Sequence, residues 1–414
     1  MKNIKNFSAL TLVHISGYLI PFLMLPYLAR VFEPHTFGQY VFYISLFNYF
    51  ILIVDWGFGY SAVRDVTKGK DNLELLNNIF WNVVFARVIV GGVLTSIIYF
   101  ISIVLFANDY IGQSDLLLIF TAILFIMGNA LFSAWFYQGI EKLITFSLIV
   151  VLTKVVVFIA MVILVKSPND LSLALMLFSL SWVIPSIVCI LYLYRNKLIS
   201  KPIFNLSESI LQIKKSTDIF ISSIATTVYT STNVLVTYFI STPTVTGQFG
   251  VADRLKTACL GMYTPIKQLM FPKVVKKAND GEYKNIIINL GLPFICLGLL
   301  AFITSFYMAE NIILWVFGEQ YSPSIRYFQF FSLLFFIIPI AIVFGHWVLL
   351  AGGFDKKVKR INVTFAMLHV IHFVPLAYYW GIEGIILSLL ITETLIAFVF
   401  VVYVYSLFKR KLIA

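Results

Sequence analysis

Apolar residues run along this chain in long blocks, and polar residues gather in the short gaps between them. A bilayer-spanning helix needs about 20 mostly apolar residues. Twelve blocks meet that length, near 7–31, 40–63, 79–106, 116–138, 143–165, 171–194, 218–241, 249–272, 286–309, 325–350, 361–380 and 384–408. The pattern predicts an all-α polytopic membrane protein of twelve transmembrane helices. Pro21, Pro185, Pro293, Pro339 and Pro375 interrupt blocks and predict bent helices.

The gaps alternate in charge. Cations at 2–5, 64–70, 142, 195–201, 214–215, 273–284, 356–360 and 409–411 fall on one side of the ladder, and only Arg30, Lys166 and Arg326 on the other. The positive-inside rule places the rich side, and with it both termini, in the cytoplasm. An odd number of blocks would scramble this segregation. The N-terminal block contains Pro21 and Pro26 and ends at Ala29-Arg30 without a small-residue cleavage site, so it reads as a retained span.

Composition agrees. The 414 residues are 60% hydrophobic and 12% charged, with a mean hydropathy of +0.93. A net charge of +11 invites a nucleic-acid reading, which the placement of the cations between apolar blocks excludes. Cys189, Cys259 and Cys296 all lie inside apolar blocks, without metal spacing or a disulfide framework. No HExxH motif, phosphate loop or GxSxG elbow is present, and His14, His35, His346, His369 and His372 form no catalytic group, so no enzyme and no cofactor is expected.

One stretch breaks the pattern. Residues 247–272 carry Asp253, Arg254, Lys256 and Lys267 inside a span. A charge at mid-bilayer costs roughly 2.5–3.5 kcal/mol on insertion scales, so such groups face protein or water. Lys256 and Lys267 are eleven residues apart, about three turns, with Tyr263 between them on the same face. This predicts a cationic strip for an anionic substrate, with a kink at Pro265. Buried salt bridges, Asp253 to Lys256 among them, with Lys267 snorkelling, are the structural alternative. Arg87 and Lys154 complete the intramembrane cations, and Asp55 and Glu393 the acids. Asp55 and Arg87 fall at similar depth on neighbouring antiparallel blocks, so an ion pair competes there with a substrate role. Glu393 is a candidate for a coupling carboxylate taking H+ or Na+, or for a buried pair with a lysine.

The seventh block carries Ser223, Thr226, Thr230, Asn233 and Thr237 at steps of three and four, one polar stripe for sugar hydroxyls or for interhelical packing. Gly38-Gln39-Tyr40 after the first block echoes Gly247-Gln248-Phe249 after the seventh at an offset of 209 residues, which favours two parallel six-span repeats. The expected division is an N-terminal lobe at 1–194, a cytoplasmic linker at 195–217 and a C-terminal lobe at 218–414. SESILQIKK in the linker is amphipathic and suited to an anionic leaflet.

The run SGYLIPFLMLPYLARVFEPHTFGQY, followed by VDWGFGYSAVRDVTK and later NALFSAWFYQGIEK, resembles bacterial Wzx-type O-antigen flippases. These form part of the polysaccharide-transporter branch of the superfamily that includes multidrug extruders and the lipid II flippase. Leu25-Pro26-Tyr27-Leu28-Ala29-Arg30 and Asp55-Trp56-Gly57-Phe58 are the most specific parts of the likeness. The resemblance implies two six-helix lobes around a central cavity faced by the first, second, seventh and eighth helices. It implies translocation of undecaprenyl-pyrophosphate-linked O-antigen, or a related polysaccharide repeat unit, from the cytoplasmic to the periplasmic leaflet of the inner membrane by alternating access, beside other polysaccharide-assembly proteins. Arg87, Lys154, Arg254, Lys256 and Lys267 are the candidates to contact the pyrophosphate, with Ser223, Thr226, Thr230, Asn233 and Tyr263 as polar and aromatic lining. A multidrug or metabolite antiporter of the same fold and a membrane-bound glycan polymerase or ligase are the alternatives. The short outer loops, the longest at 311–324, speak against the last.

Overall fold

Helices account for nearly all of the chain, and their interruptions place the charged residues. The computed structural model describes the backbone of residues 2–108 and 112–410, and side chains except those of 2–22, 113–115, 222, 225, 226, 228–231, 265, 268 and 272. Among the described residues there is no strand, and eight helices are long and apolar enough to cross a membrane.

Several breaks have local causes. The helix Lys2–Asp55 turns at Glu33, directly before Pro34, where φ/ψ of 58°/169° leaves the helical region. A second break at Trp56 and Gly57 (φ 42° and 82°) separates it from Phe58–Lys68, leaving Asp55 at a helix end. Gln113–Ala130 stops before the short helix Ala134–Gly139. Pro243–Gly261 starts on a Thr242 cap and gives way at Met262 to Tyr263–Asn279. That break lies three residues ahead of Pro265, which has no amide hydrogen to offer residue 261. Asp355–Lys409 spans 55 residues and bends at Gly381 (φ 55°, ψ −129°). The seventh block begins earlier than hydropathy suggests. Asn205 accepts a bond from the Glu208 amide at 3.1 Å, and the helix runs Leu206–Ile240, so SESILQIKK forms its first turns.

Two compact units divide the chain, one of residues 1–32 and 42–224, the other of 33–41 and 225–414. The first is built around Phe58, Phe80, Trp135, Phe136 and Tyr137, all buried. Leu73–Ala107 shows how a helix joins that core. Leu76, Phe80, Val83, Arg87 and Gly91 recur at three and four residues on its inner face. Val93, Ile97, Phe100 and Ile101 further along are exposed, as a lipid-facing surface requires. The second unit packs Tyr263, Phe294, Val343, Trp347, Ile396 and Phe400. It also takes in residues 33–41, where Phe37 meets Tyr321 edge-on at 5.8 Å.

The two Gly-Gln-aromatic triplets meet in this second unit. A Cβ on Gly38 would lie 1.8 Å from the Pro243 carbonyl oxygen, and one on Gly247 would lie 2.1 Å from that of Pro34. Pro34 and Pro243 are related by the same 209-residue offset as the glycines. Two Pro-x-x-x-Gly segments therefore cross reciprocally, each glycine seated on the other's proline carbonyl.

Candidate functional site

The first unit holds two intramembrane cations in different circumstances. Arg87 is 3% exposed and reaches three acceptors. It donates to the Phe132 carbonyl at 2.6 Å and to Asn129 Oδ1 at 3.3 Å, and lies 3.5 Å from Asp55 Oδ1. The geometry follows from the breaks. The interruption at residues 131–133 frees the Phe132 carbonyl from a helical partner, and the one at Trp56–Gly57 presents Asp55 at a helix end. The Asp55–Arg87 ion pair is thus formed, and it ties together three helices. Lys154, on Leu143–Leu164, meets no carboxylate among the described residues. Its ammonium stands 5.6 Å from the centre of the Trp182 ring, a cation–π contact that leaves its other donors unused. Trp182 is itself packed on Phe125 and Phe132.

The second unit repeats the contrast. Lys256 donates to Asp253 Oδ1 at 2.5 Å, one turn away, and sits 4.6 Å over the Phe331 ring. Arg254, two residues before it, is half-buried and has no ion pair among the described residues. Lys267 lines a cavity of about 290 Å³ together with Tyr263, Thr264, His346, Asn362 and Glu393. Among the described residues no ion pair joins Lys267 to Glu393, and neither side chain forms a hydrogen bond. Tyr263 donates its hydroxyl to the Phe335 carbonyl at 2.9 Å, which fixes its ring as a wall. Tyr263 and Lys267 line the cavity, while Lys256 pairs with Asp253 one turn away on the preceding helix and stands near enough to Glu393 to interact with its charge.

Of the polar stripe, Ser223 and Thr237 donate to carbonyls one turn back, Ile219 and Asn233. Asn233 is 2% exposed, and neither its amide nitrogen nor its oxygen has a partner among the described residues. The side chains of Thr226 and Thr230 lie outside the described residues. His346, Asn362 and Thr264 are cavity residues that the sequence did not single out. His346 stands in a π-helical stretch, Ile342–Leu350, a geometry common at functional sites. His369, His372 and Thr392 share hydrogen bonds of 2.7 and 3.3 Å between the two arms of Asp355–Lys409.

Chemically, this arrangement sorts five cations. Arg87 and Lys256 are neutralised by acids of their own unit, whereas Lys154, Arg254 and Lys267 have ammonium or guanidinium donors left for an anion.

Comparison with known proteins carries the same direction. A protein of Shigella dysenteriae named "Putative O-antigen transporter" is 30% identical over 395 residues, covering 95% of this chain and 97% of its own. One of the same name from Escherichia coli (strain K12) is 25% identical over 403 residues, covering 97% and 96%. Among solved structures, the lipid II flippase MurJ in an inward closed conformation superposes with a TM-score of 0.74 at 14% identity, covering 96% of this chain and 87% of that one. An inward-facing multidrug resistance MATE family transporter of the MOP superfamily gives 0.72 at 12%, covering 93% of each. At those identities the structures establish a shared fold. Residues 4–277 match the family described as "Polysaccharide biosynthesis protein", and with the near-full-length relatives beside that match, this multi-pass membrane chain belongs to that family.

Proposed function

We propose that this protein is a flippase that carries a polyprenyl-diphosphate-linked oligosaccharide, the undecaprenyl-linked O-antigen unit or a related repeat, from the cytoplasmic to the periplasmic leaflet. The observation that carries this reading is the set of intramembrane cations that form no ion pair among the described residues: Lys154, Arg254 and Lys267. A diphosphate is the anion that a membrane-embedded glycan carrier brings with it, and lysine and arginine donors suit its oxygens. The relatives named as O-antigen transporters support the same substrate class.

Twelve spans in two lobes of six, both termini cytoplasmic, belong to the same proposal. A helix of 55 residues rises about 80 Å, far more than the roughly 30 Å hydrocarbon core, so Asp355–Lys409 counts as two spans meeting at Gly381. The turn at Glu33 divides the first helix likewise. Alternating access is the proposed mechanism, with Glu393 as the carboxylate at which a proton or sodium ion is exchanged, because it faces the Lys267 cavity without an ion pair.

Leaflet assignment of lipid-linked glycan in cells lacking the protein tests the proposal. Units trapped on the cytoplasmic leaflet are expected. Single units left unpolymerised outside would identify a polymerase or ligase, and normal glycan with lost drug or metabolite efflux would identify an antiporter.

A further inference from the structure

The segment that joins the two halves of the sequence is amphipathic in an inverted sense. At the start of Leu206–Ile240 the residues turned inward are polar: Ser209, Gln212 and Ser216 are at most 5% exposed. Ser216 is held by Ser61, hydroxyl to hydroxyl at 2.6 Å, and Trp56 Nε1 donates to Thr217 at 3.3 Å. These bonds fix the rotation of the helix. The side left outward carries Ile210 and Leu211, 41% exposed each, and continues into Leu206, Phe204 and Ile203, at 50–61%. The stretch before the helix is pinned as well. The Ser200 amide donates to Asn77 at 2.7 Å and Trp81 Nε1 donates to the Ser200 carbonyl at 3.0 Å, while Phe204 meets the Phe85 ring edge-on at 5.0 Å.

Exposed lysines border this apolar edge. Residues 196–217 contain Lys197, Lys201, Lys214 and Lys215 against Glu208 alone, a net charge of +3. An outward apolar edge beside ammonium groups matches the boundary of an anionic leaflet, with the rings and aliphatic chains at the acyl level and the lysines at the phosphates. An aqueous surface would satisfy the ammonium groups but leave the apolar edge beside them unpaired. We infer that residues 200–215 form a lipid-headgroup docking strip that seats the connection between the two halves on an anionic cytoplasmic leaflet. The inference depends on the membrane orientation given above and not on the identity of the transported glycan.

Hydrogen–deuterium exchange of the full chain in nanodiscs tests it, with phosphatidylcholine alone or mixed with phosphatidylglycerol. Amides of 200–211 are expected to exchange severalfold more slowly in the anionic discs. Replacement of Lys201, Lys214 and Lys215 by Gln removes that difference, by roughly fivefold in binding per lysine, while protection in Leu73–Ala107 stays unchanged and reports an intact fold. A second variant, F204S with L211S, lowers protection in both disc types. Equal exchange in both lipids, or an insensitivity to the lysine replacements, overturns the proposal. Protection conferred by soluble pyrophosphate in neutral discs also overturns it, by assigning the strip to a free phosphate. Protection that requires a second copy of the chain overturns it in favour of a dimer contact.

Discussion

Gly38 and Gly247 face each other across a contact too close for any side chain. The Gly247 amide nitrogen lies 2.8 Å from where a Gly38 Cβ would stand, and the Gly38 nitrogen lies 3.0 Å from that of Gly247. Each position also points a Cβ at the carbonyl of the other segment's proline. The reciprocity makes the crossing a pseudo-twofold contact between corresponding points of the two sequence halves.

Alanine at either glycine should therefore destabilise the protein by about 1–3 kcal/mol, because backbone rather than a flexible side chain has to move. Thermal unfolding in detergent measures this. Gly92→Ala and Gly261→Ala, where nothing lies within 4 Å of the added carbon, are the controls and should leave the midpoint unchanged or slightly raised.

Arg87 acts as a structural clamp between breaks, so Arg87→Gln should cost about 3–5 kcal/mol by leaving the freed Phe132 carbonyl and Asp55 without their donor. Asp55→Asn should cost less, about 1 kcal/mol, since the carboxylate is 36% exposed and Arg87 keeps its other two acceptors. Unfolding midpoints of the two single variants and the double variant give the coupling. A transport defect in Arg87→Gln with unchanged stability would contradict the clamp.

Paired and unaccompanied cations should separate in transport. The double variant Asp253→Asn with Lys256→Gln removes a self-contained ion pair and should retain most glycan export. Lys154→Gln and Lys267→Gln should fold to normal levels and lose at least about tenfold in export, the equivalent of one charge-assisted hydrogen bond. Quantifying surface glycan per molecule of folded protein in complemented cells checks both.

Asn233 is buried, and both ends of its amide are unsatisfied among the described residues. An idle buried amide costs stability, so Asn233→Leu should raise the unfolding midpoint or leave it unchanged, by up to about 1–3 kcal/mol. If the amide serves glycan hydroxyls, export falls while stability does not. A loss of stability in this variant would assign Asn233 to packing instead.

Much of this architecture was legible because lipid imposes simple rules. Block lengths announced an all-helical chain, of which eight helices among the described residues are long and apolar enough to span. The kink expected at Pro265 has its counterpart in the break at Met262. The Gly-Gln-aromatic echo pointed to repeats, and that its two glycines cross was not legible. Equal depth on adjacent spans left an Asp55–Arg87 pair and a substrate role both open, and the pair is formed. For the eighth block the sequence left two readings open, a cationic strip and an Asp253–Lys256 bridge, because spacing alone does not say which neighbour a lysine takes; the bridge is formed. Tyr263 and Lys267 line a cavity, and Lys256 pairs with Asp253 one turn away. His346, Asn362 and Glu393 reach that cavity from three distant stretches, and no local spacing announces a convergence set by tertiary packing. The early start of Leu206–Ile240 was hidden because its first turns bury serine and glutamine, against the usual hydrophobic pattern.

The diphosphate itself is the most direct point of test. Purified wild-type protein and Lys267→Gln are reconstituted into proteoliposomes, and flipping is measured for two polyprenyl-linked glycans that differ only in a diphosphate or an uncharged linkage. The expected result is that wild type moves the diphosphate lipid at least about tenfold faster than the uncharged one, and that the variant loses this preference without slowing the uncharged lipid. Equal rates for the two lipids in wild type, or an undiminished preference in Lys267→Gln, would contradict a diphosphate contact at that lysine.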